Sequence, residues 1–221
     1  MPCWPTPTEA GDVAAVNVFD GSPNGGSPVG WWDRKTRATS SRARMAERRA
    51  EDAGALRLAG RTALSLGFLD AQYREAPRTA PAIATRRASE LRPGDLIPAP
   101  AAIGDVPDHV IARGAALDLR RDGFDVALYA DLPHAIRYAW PSSVTGEAET
   151  ELDADAFLEL ALAKLSLPPD QHEIHTLGGR ALDDNLAAEQ TYRTQLPGLV
   201  ALNPRLADLT ILRHEVVWRL P

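Results

Sequence analysis

Short apolar runs alternate with amphipathic segments along this chain. Runs of consecutive apolar residues are typical of buried strands, and they cover 13–19, 62–69, 95–104 and 125–131. Apolar residues spaced three and four apart predict helices, and this pattern is found over 40–60, 108–123, 153–167 and 183–199. Residues 211–220 are predicted to be a strand or an extended tail. The segment after residue 131 is expected to be a turn and irregular chain.

Strands that alternate with helices indicate an α/β protein with a mostly parallel sheet and right-handed crossovers. We therefore expect a Rossmann-like three-layer sandwich. The whole chain, 1–221, is expected to form one domain. Residues 1–11 contain three prolines, which remove backbone donors, so this piece is expected to be irregular.

Composition narrows the classes of protein to consider. Hydrophobic residues make up 44% of the 221 residues, which is enough for a core. The formal net charge of −6 argues against nucleic acid as the main partner. The single cysteine excludes an internal disulfide. No apolar stretch is long enough to span a membrane, and the first residues do not resemble a signal peptide. A cytoplasmic protein is therefore expected, and an oligomer is possible.

Polar residues at the predicted strand ends are the first candidates for a site. Ligands bind beyond the carboxyl ends of parallel strands, and the residues expected to converge there are Asp20, Asp70, Asp108, His109 and Asp131. His134 follows the fourth strand and either lines the same pocket or lies in a surface turn. Trp31 and Trp32 follow a glycine-rich stretch, where they either stack on a sugar ring or cover the core.

Six segments, in order, resemble one known family. They are VNVFDGSPNGG, RRAED, LGFLDAQYR, PDHVIARGAAL, LYADLPHA and YRTQLPGL. Together they resemble the PIG-L/LmbE-like family of zinc-dependent de-N-acetylases. The resemblance implies hydrolysis of the N-acetyl amide of N-acetylglucosaminyl-type glycoconjugates, so the implied partner is a small glycoconjugate.

The resemblance also implies roles for individual residues. His109 falls on a zinc ligand, and Asp108 is its acidic neighbour in the catalytic site. Arg48 matches an arginine near the substrate, where Asp70, Trp32 and His134 are further candidates for substrate binding. Tyr192 and Gln195 match a Y.SQ-like element in which Thr194 stands for the usual serine.

Two departures from the family pattern lower the expected activity. The family begins with a strand that ends in a PHPDD-like motif, which supplies two zinc ligands and the general base, and this chain lacks that motif. Val106 stands where the family has a histidine that assists the transition state. With His109 as the one clear ligand, zinc is expected to bind weakly or not at all.

The missing strand can be explained in three ways. The chain is truncated at its start, the neighbouring strands have closed up, or another chain fills the gap; truncation is the favoured explanation. Two functional hypotheses follow, an impaired de-N-acetylase and a catalytically inactive protein that binds a glycoconjugate or forms part of a larger assembly. His172 and His175 in the segment HEIH are predicted to lie in a solvated loop, with metal binding as a minor alternative.

Overall fold

The computed structural model of the chain describes residues 14–76, 83, 91, 92, 94–141, 144, 154–163 and 172–221. The chain divides into two compact units. The first contains Cys3–Pro81 and Gly178–Leu202, and the second contains Ala82–Leu177 and Asn203–Pro221. The expectation of a single domain stays a prediction.

Among its described residues, the first unit contains a small parallel sheet and four helices. Strand β1 (Ala15–Asn17) pairs in parallel with β2 (Ala63–Ser65). The helices are α1 (Trp31–Lys35), α2 (Ser41–Leu58), α6 (Arg180–Gln190) and α7 (Leu196–Leu202), and a 3-10 turn covers Ala71–Tyr73. Helix α2 packs against α6.

Local sequence signals explain where α2 begins and ends. The Ser40 side chain accepts a hydrogen bond from the backbone N–H of Ala43, which satisfies one of the free donors of the first turn. Gly60 follows the helix with φ +65°, a conformation that glycine adopts without steric cost. The buried face of α2 includes Met45, Ala55 and Leu56.

The second unit contains a four-stranded sheet with the order β3-β4-β6-β5. Its strands are β3 (Leu96–Pro100), β4 (Asp125–Tyr129), β5 (His172–Thr176) and β6 (His214–Arg219). Its helices are α3 (Pro107–Arg121), α4 (Leu132–Tyr138), α5 (Ala154–Leu162) and α8 (Leu209–Leu212), and a 3-10 turn covers Pro204–Ala207. Val126 and Leu128 of β4 and Trp218 of β6 are among the buried core residues.

This sheet is mixed, which differs from the mostly parallel sheet expected. Strands β3 and β4 are parallel, but β6 runs antiparallel to both of its neighbours, β4 and β5. An apolar run shows that a segment is a strand but not its direction, because direction depends on where the preceding helices leave the chain. The chain therefore has a mixed α/β fold with one parallel and one mostly antiparallel sheet.

Three further expectations about local structure are corrected. Helix α4 replaces the irregular segment, since Pro133 lies in the first turn, where its missing N–H is not needed. The predicted helix over 183–199 is instead two helices, α6 and α7, and Pro197 is inside the second. Trp31 and Trp32 begin the short helix α1 and are not in a loop.

The described helices include none that is both long enough and apolar enough to cross a lipid bilayer. The predicted segment 1–11, residue 13 of the first predicted strand and residues 153 and 164–167 of a predicted helix lie outside the described residues.

Candidate functional site

Two histidines and an aspartate meet at one end of the second unit's sheet. His109 is the third residue of α3, His134 is the third residue of α4, and Asp131 is the residue before α4. One ligand atom from each lies within 4.8 Å of the others. Because α3 and α4 follow the parallel neighbours β3 and β4, the cluster occupies the edge where ligands bind in such sheets.

Asp131 holds His109 in a defined orientation. Nδ1 of His109 lies 2.5 Å from Oδ2 of Asp131, and the other carboxylate oxygen accepts a hydrogen bond from the backbone N–H of Ile103 at 3.4 Å. An ionised carboxylate only accepts, so Nδ1 carries the proton in this pair. The lone pair of His109 is therefore on Nε2, the atom left to bind a cation.

His134 has an environment that favours the neutral imidazole. Burial lowers the pKa of His134 below its usual range, and the neighbouring His109 lowers it further, while Asp131 opposes the shift. The rings of His134 and His109 are nearly perpendicular, with centroids 5.2 Å apart. A neutral imidazole is the form that binds metal ions.

The loop that precedes α3 is held in an unusual conformation. Ala102 and Asp105 have φ +57° and +55°, and Gly104 has φ +82°. Arg113 of α3 donates a hydrogen bond to the carbonyl oxygen of Ala101 at 2.7 Å. Left-handed backbone at residues other than glycine costs free energy and is concentrated at functional sites. This loop carries the Ile103 N–H that binds Asp131.

The structure brings His109, the residue predicted to be the one clear zinc ligand, together with His134 and Asp131, which are two further candidate donors. Each lies between the end of a parallel strand and the first turn of the next helix, but residue spacing does not show which side chains meet. Asp108, the predicted catalytic neighbour, is half-buried in the first turn of α3 and is not part of the cluster of three.

Arg48 and Asp70, both predicted to bind substrate, belong to a network in the first unit. The Arg48 guanidinium contacts Asp33 at 2.7 Å and Asp70 at 3.3 Å. Asp33 is fully buried and also accepts hydrogen bonds from the Tyr73 hydroxyl and the Gln72 amide. Burial raises the pKa of Tyr73, and its hydrogen bond to Asp33 adds to the shift.

Asp33 was not identified from the sequence. Its nearest signal is that it follows two tryptophans in a segment that was expected to be a loop. Asp20, which was expected at the same edge as Asp70, is buried and accepts a hydrogen bond from the backbone N–H of Gly67 at 2.9 Å. This contact ties the chain after β1 to the chain after β2.

Two of the segments that carry the resemblance are joined by hydrogen bonds in the first unit. Both oxygens of the buried Glu51 carboxylate accept from Thr194, one from its backbone N–H and one from its hydroxyl, each at 2.8 Å. Asp52 accepts from the Tyr192 hydroxyl at 2.9 Å and from the Asn17 amide. Burial and Asp52 raise the pKa of Tyr192.

Trp32 is anchored by its polar atom. Its indole N–H donates to the Gln195 side-chain oxygen at 2.6 Å. The rings of Trp31 and Trp32 meet edge-on with centroids 5.7 Å apart, and Trp31 is 62% exposed. Of the two tryptophans considered for stacking on a sugar, Trp31 therefore offers the more exposed aromatic surface, and substrate binding by Trp32 stays a prediction.

The segment HEIH lies in β5, which corrects the expected loop. Successive residues of a strand alternate between faces, so His172 and His175, three apart, point to opposite faces. His175 contacts Glu173 at 3.5 Å, and His214 contacts the Thr176 hydroxyl at 3.1 Å. His175 and His214 thus each have a partner within the protein.

Comparison with known proteins gives a likeness of fold. Neither a protein-family model nor a curated protein matches the chain. Similar solved structures include the A40926 pseudoaglycone deacetylase Dbv21, with a TM-score of 0.64 and 24% identity over 97% of this chain and 87% of that one.

A deacetylase of the teicoplanin biosynthesis pathway gives a TM-score of 0.66 at 18% identity, over 94% of this chain and 86% of that one. The zinc-inhibited form of teicoplanin deacetylase Orf2 gives 0.62 at 19%, with the same coverage of both chains. At these identities the likeness shows that this chain shares the fold of these deacetylases.

Proposed function

We propose that this chain is a zinc-dependent hydrolase that removes the acetyl group from an N-acetylglucosaminyl-type glycoconjugate, with slow turnover. The observation that carries the proposal is the cluster of His109, Asp131 and His134 at the end of parallel strands. The fold shared with several deacetylase structures supports the reaction type.

The donor set of the cluster suits zinc. Catalytic zinc is commonly held by two imidazoles and a carboxylate, with one position left open. His109 and His134 would supply the imidazoles. Asp131 would either complete the set or orient His109 through its Nδ1 contact. When bound, zinc supplies a Lewis acid that lowers the pKa of a water molecule and polarises the amide carbonyl.

Slow turnover is proposed because of Val106. This residue precedes α3, three positions before His109, and forms no side-chain capping bond. Its side chain has no group that can donate a proton or a hydrogen bond to the developing oxyanion. Asp108 is the neighbouring carboxylate proposed to transfer protons, and one proton-transfer group typically contributes about 10²–10⁴-fold in rate.

We further propose that Arg48, Asp70, Trp32 and His134 contribute to substrate binding. The three residues in the first unit already contact other protein groups, which favours a role in positioning neighbouring side chains over direct contact with substrate. Arg48 and Asp70 contact each other, and Trp32 is held by Gln195. The exposed ring of Trp31 is the better surface for stacking on a sugar.

A catalytically inactive glycoconjugate-binding protein is the second candidate function. Val106 favours it, since the loss of a transition-state group lowers catalysis without preventing substrate binding. The two functions differ in acetate release under conditions where the glycoconjugate binds.

The test measures zinc content and acetate release on the full chain. We expect about one zinc per chain and slow acetate release from an N-acetylglucosaminide. His109→Ala/His134→Ala should lose both zinc and acetate release. The matched control is His175→Ala, which removes an exposed histidine outside the cluster and should change neither. Full zinc content in the double variant would overturn the assigned ligands.

A gain-of-function variant separates the two candidate functions. Val106→His restores a proton donor one helical turn before His109, so acetate release should rise at least tenfold at unchanged zinc content. No acetate release from either the wild type or this variant, with retained glycoconjugate binding, would favour the inactive binding protein.

A further inference from the structure

The first unit contains a cavity of about 350 Å³ between its small sheet and α2. Residues of β1, β2, the second half of α2 and the turn after α2 line it. This volume is at the lower end of the range for small-molecule pockets, roughly 300–1,000 Å³. None of the cluster residues His109, Asp131 and His134 lines this cavity.

Four residues spaced four apart form one wall of the cavity. They are Arg49, Ala53, Arg57 and Arg61, of which the first three lie on one face of α2 and the last lies just beyond its end. Residues four apart on a helix are neighbours on its surface. The wall therefore presents a row of guanidinium groups around one small apolar residue.

Positive charge exceeds negative charge around the cavity. Three arginines line it together with two aspartates, although the chain as a whole carries a net charge of −6. Both Asp52 oxygens accept hydrogen bonds, from Asn17 and Tyr192, and Asp20 accepts one from the Gly67 N–H. The carboxylates thus already have partners within the protein.

Two of the arginines have little or no competing interaction. Arg49 donates a hydrogen bond to the Ser22 hydroxyl at 2.6 Å. Because serine is neutral, this bond does not neutralise the charge of the guanidinium. Arg57 is exposed, and its guanidinium makes no hydrogen bond or ion pair with any residue that the structure describes. An arginine presents several N–H donors in a planar fork, which matches the oxygens of a phosphate or carboxylate.

We propose that this cavity binds a small organic anion, a compact molecule with one phosphate or carboxylate group. The guanidinium groups of Arg57 and Arg49 hold the anionic group. The methyl groups of Ala53 and Ala63 contact the carbon skeleton of the ligand. The Ser65 hydroxyl is available to hydrogen-bond a polar substituent. This site shares no residue with the proposed metal centre and does not rest on the proposed hydrolase function.

The test titrates the full chain with glucose 1-phosphate, glucuronate, inorganic phosphate and neutral glucose by calorimetry at fixed ionic strength. We expect one of the sugar anions to bind with a stoichiometry of one, and glucose not to bind. Preference for glucose 1-phosphate or for glucuronate identifies the anionic group as phosphate or carboxylate. Binding of neither sugar anion would overturn the proposal.

Matched variants on α2 separate a site from diffuse charge. Arg57→Ala should weaken sugar-anion binding at least tenfold, and Arg57→Lys should retain more of it. Arg42→Ala removes the same charge from the exposed surface of the same helix, away from the cavity, and should change binding less than twofold. Equal weakening by Arg57→Ala and Arg42→Ala would overturn the proposal. Circular dichroism checks that each variant folds, and acetate release should be unchanged in all of them.

Discussion

Replacing Arg48 with methionine should destabilise the first unit strongly. Methionine keeps much of the side-chain length but removes the guanidinium that contacts Asp33 at 2.7 Å. The Asp33 side chain is fully buried, so the variant would leave a buried carboxylate without its cation. Removing one partner of a buried ion pair typically costs about 3–5 kcal/mol.

The second contact of Arg48 adds little to this loss. Asp70 is 27% exposed and lies 3.3 Å from the guanidinium. Partly exposed pairs of this kind contribute about 0–1 kcal/mol. The total of about 3–5 kcal/mol corresponds to a fall in melting temperature of roughly 6–20 °C, at about 2–4 °C per kcal/mol for a chain of this length.

The assay is a double-mutant cycle measured by thermal and urea unfolding. Asp33→Asn removes the buried charge and keeps the shape, so Arg48→Met/Asp33→Asn should lose less stability than the sum of the two single variants. Arg42→Met, on the exposed side of α2, is the control and should change stability by less than about 0.5 kcal/mol. A loss below about 1 kcal/mol in Arg48→Met, or additive losses in the double variant, would refute the assigned role of the pair.

Two further predictions concern packing and hydrogen bonds. Gly104→Ala should destabilise the second unit by more than about 1 kcal/mol in urea unfolding, because φ is +82° and the new Cβ would lie 2.4 Å from the Tyr138 ring. Unchanged stability would contradict this packing. Thr194→Val should cost about 1.5–3 kcal/mol, because Glu51 would lose one hydrogen bond to a buried charged group, and Thr194→Ser should retain most of the stability. Similar losses in both variants would argue against that hydrogen bond.

The cluster of His109, Asp131 and His134 shows how much of a site residue patterns can predict. A strand followed by an acidic residue and a helix start predicts a polar group at the carboxyl edge of a sheet, and His109 and Asp131 both fit that pattern. The sequence does not distinguish whether His134 lines a pocket or lies in a surface turn, because Leu132 and Pro133 are typical of a turn. Helix α4 begins there instead and brings His134 to the cluster.

Local chemistry in the sequence was sufficient for most of the helices and strands. Apolar runs identified β1 to β4, and apolar residues three and four apart identified α2 and α3, because those signals act between residues close in the chain. The direction of β6 and the strand at β5 depended on partners distant in sequence. An edge strand needs only backbone partners, so the polar segment HEIH carried no apolar signal for it.

The same distinction between local and tertiary information applies to the side chains of the candidate sites. The sequence by itself determined which residue types follow the strands, and therefore that His109 and Asp131 belong near a sheet edge. Only the tertiary structure decided that Asp131 contacts Nδ1 of His109, or that Arg48 has Asp33 as its partner. Such contacts join residues 22 and 15 positions apart, and their distances depend on how whole elements pack. The spacing of residues along the chain does not predict this packing. Burial of apolar surface drives the elements together but is non-directional, so it does not by itself determine which polar side chains pair.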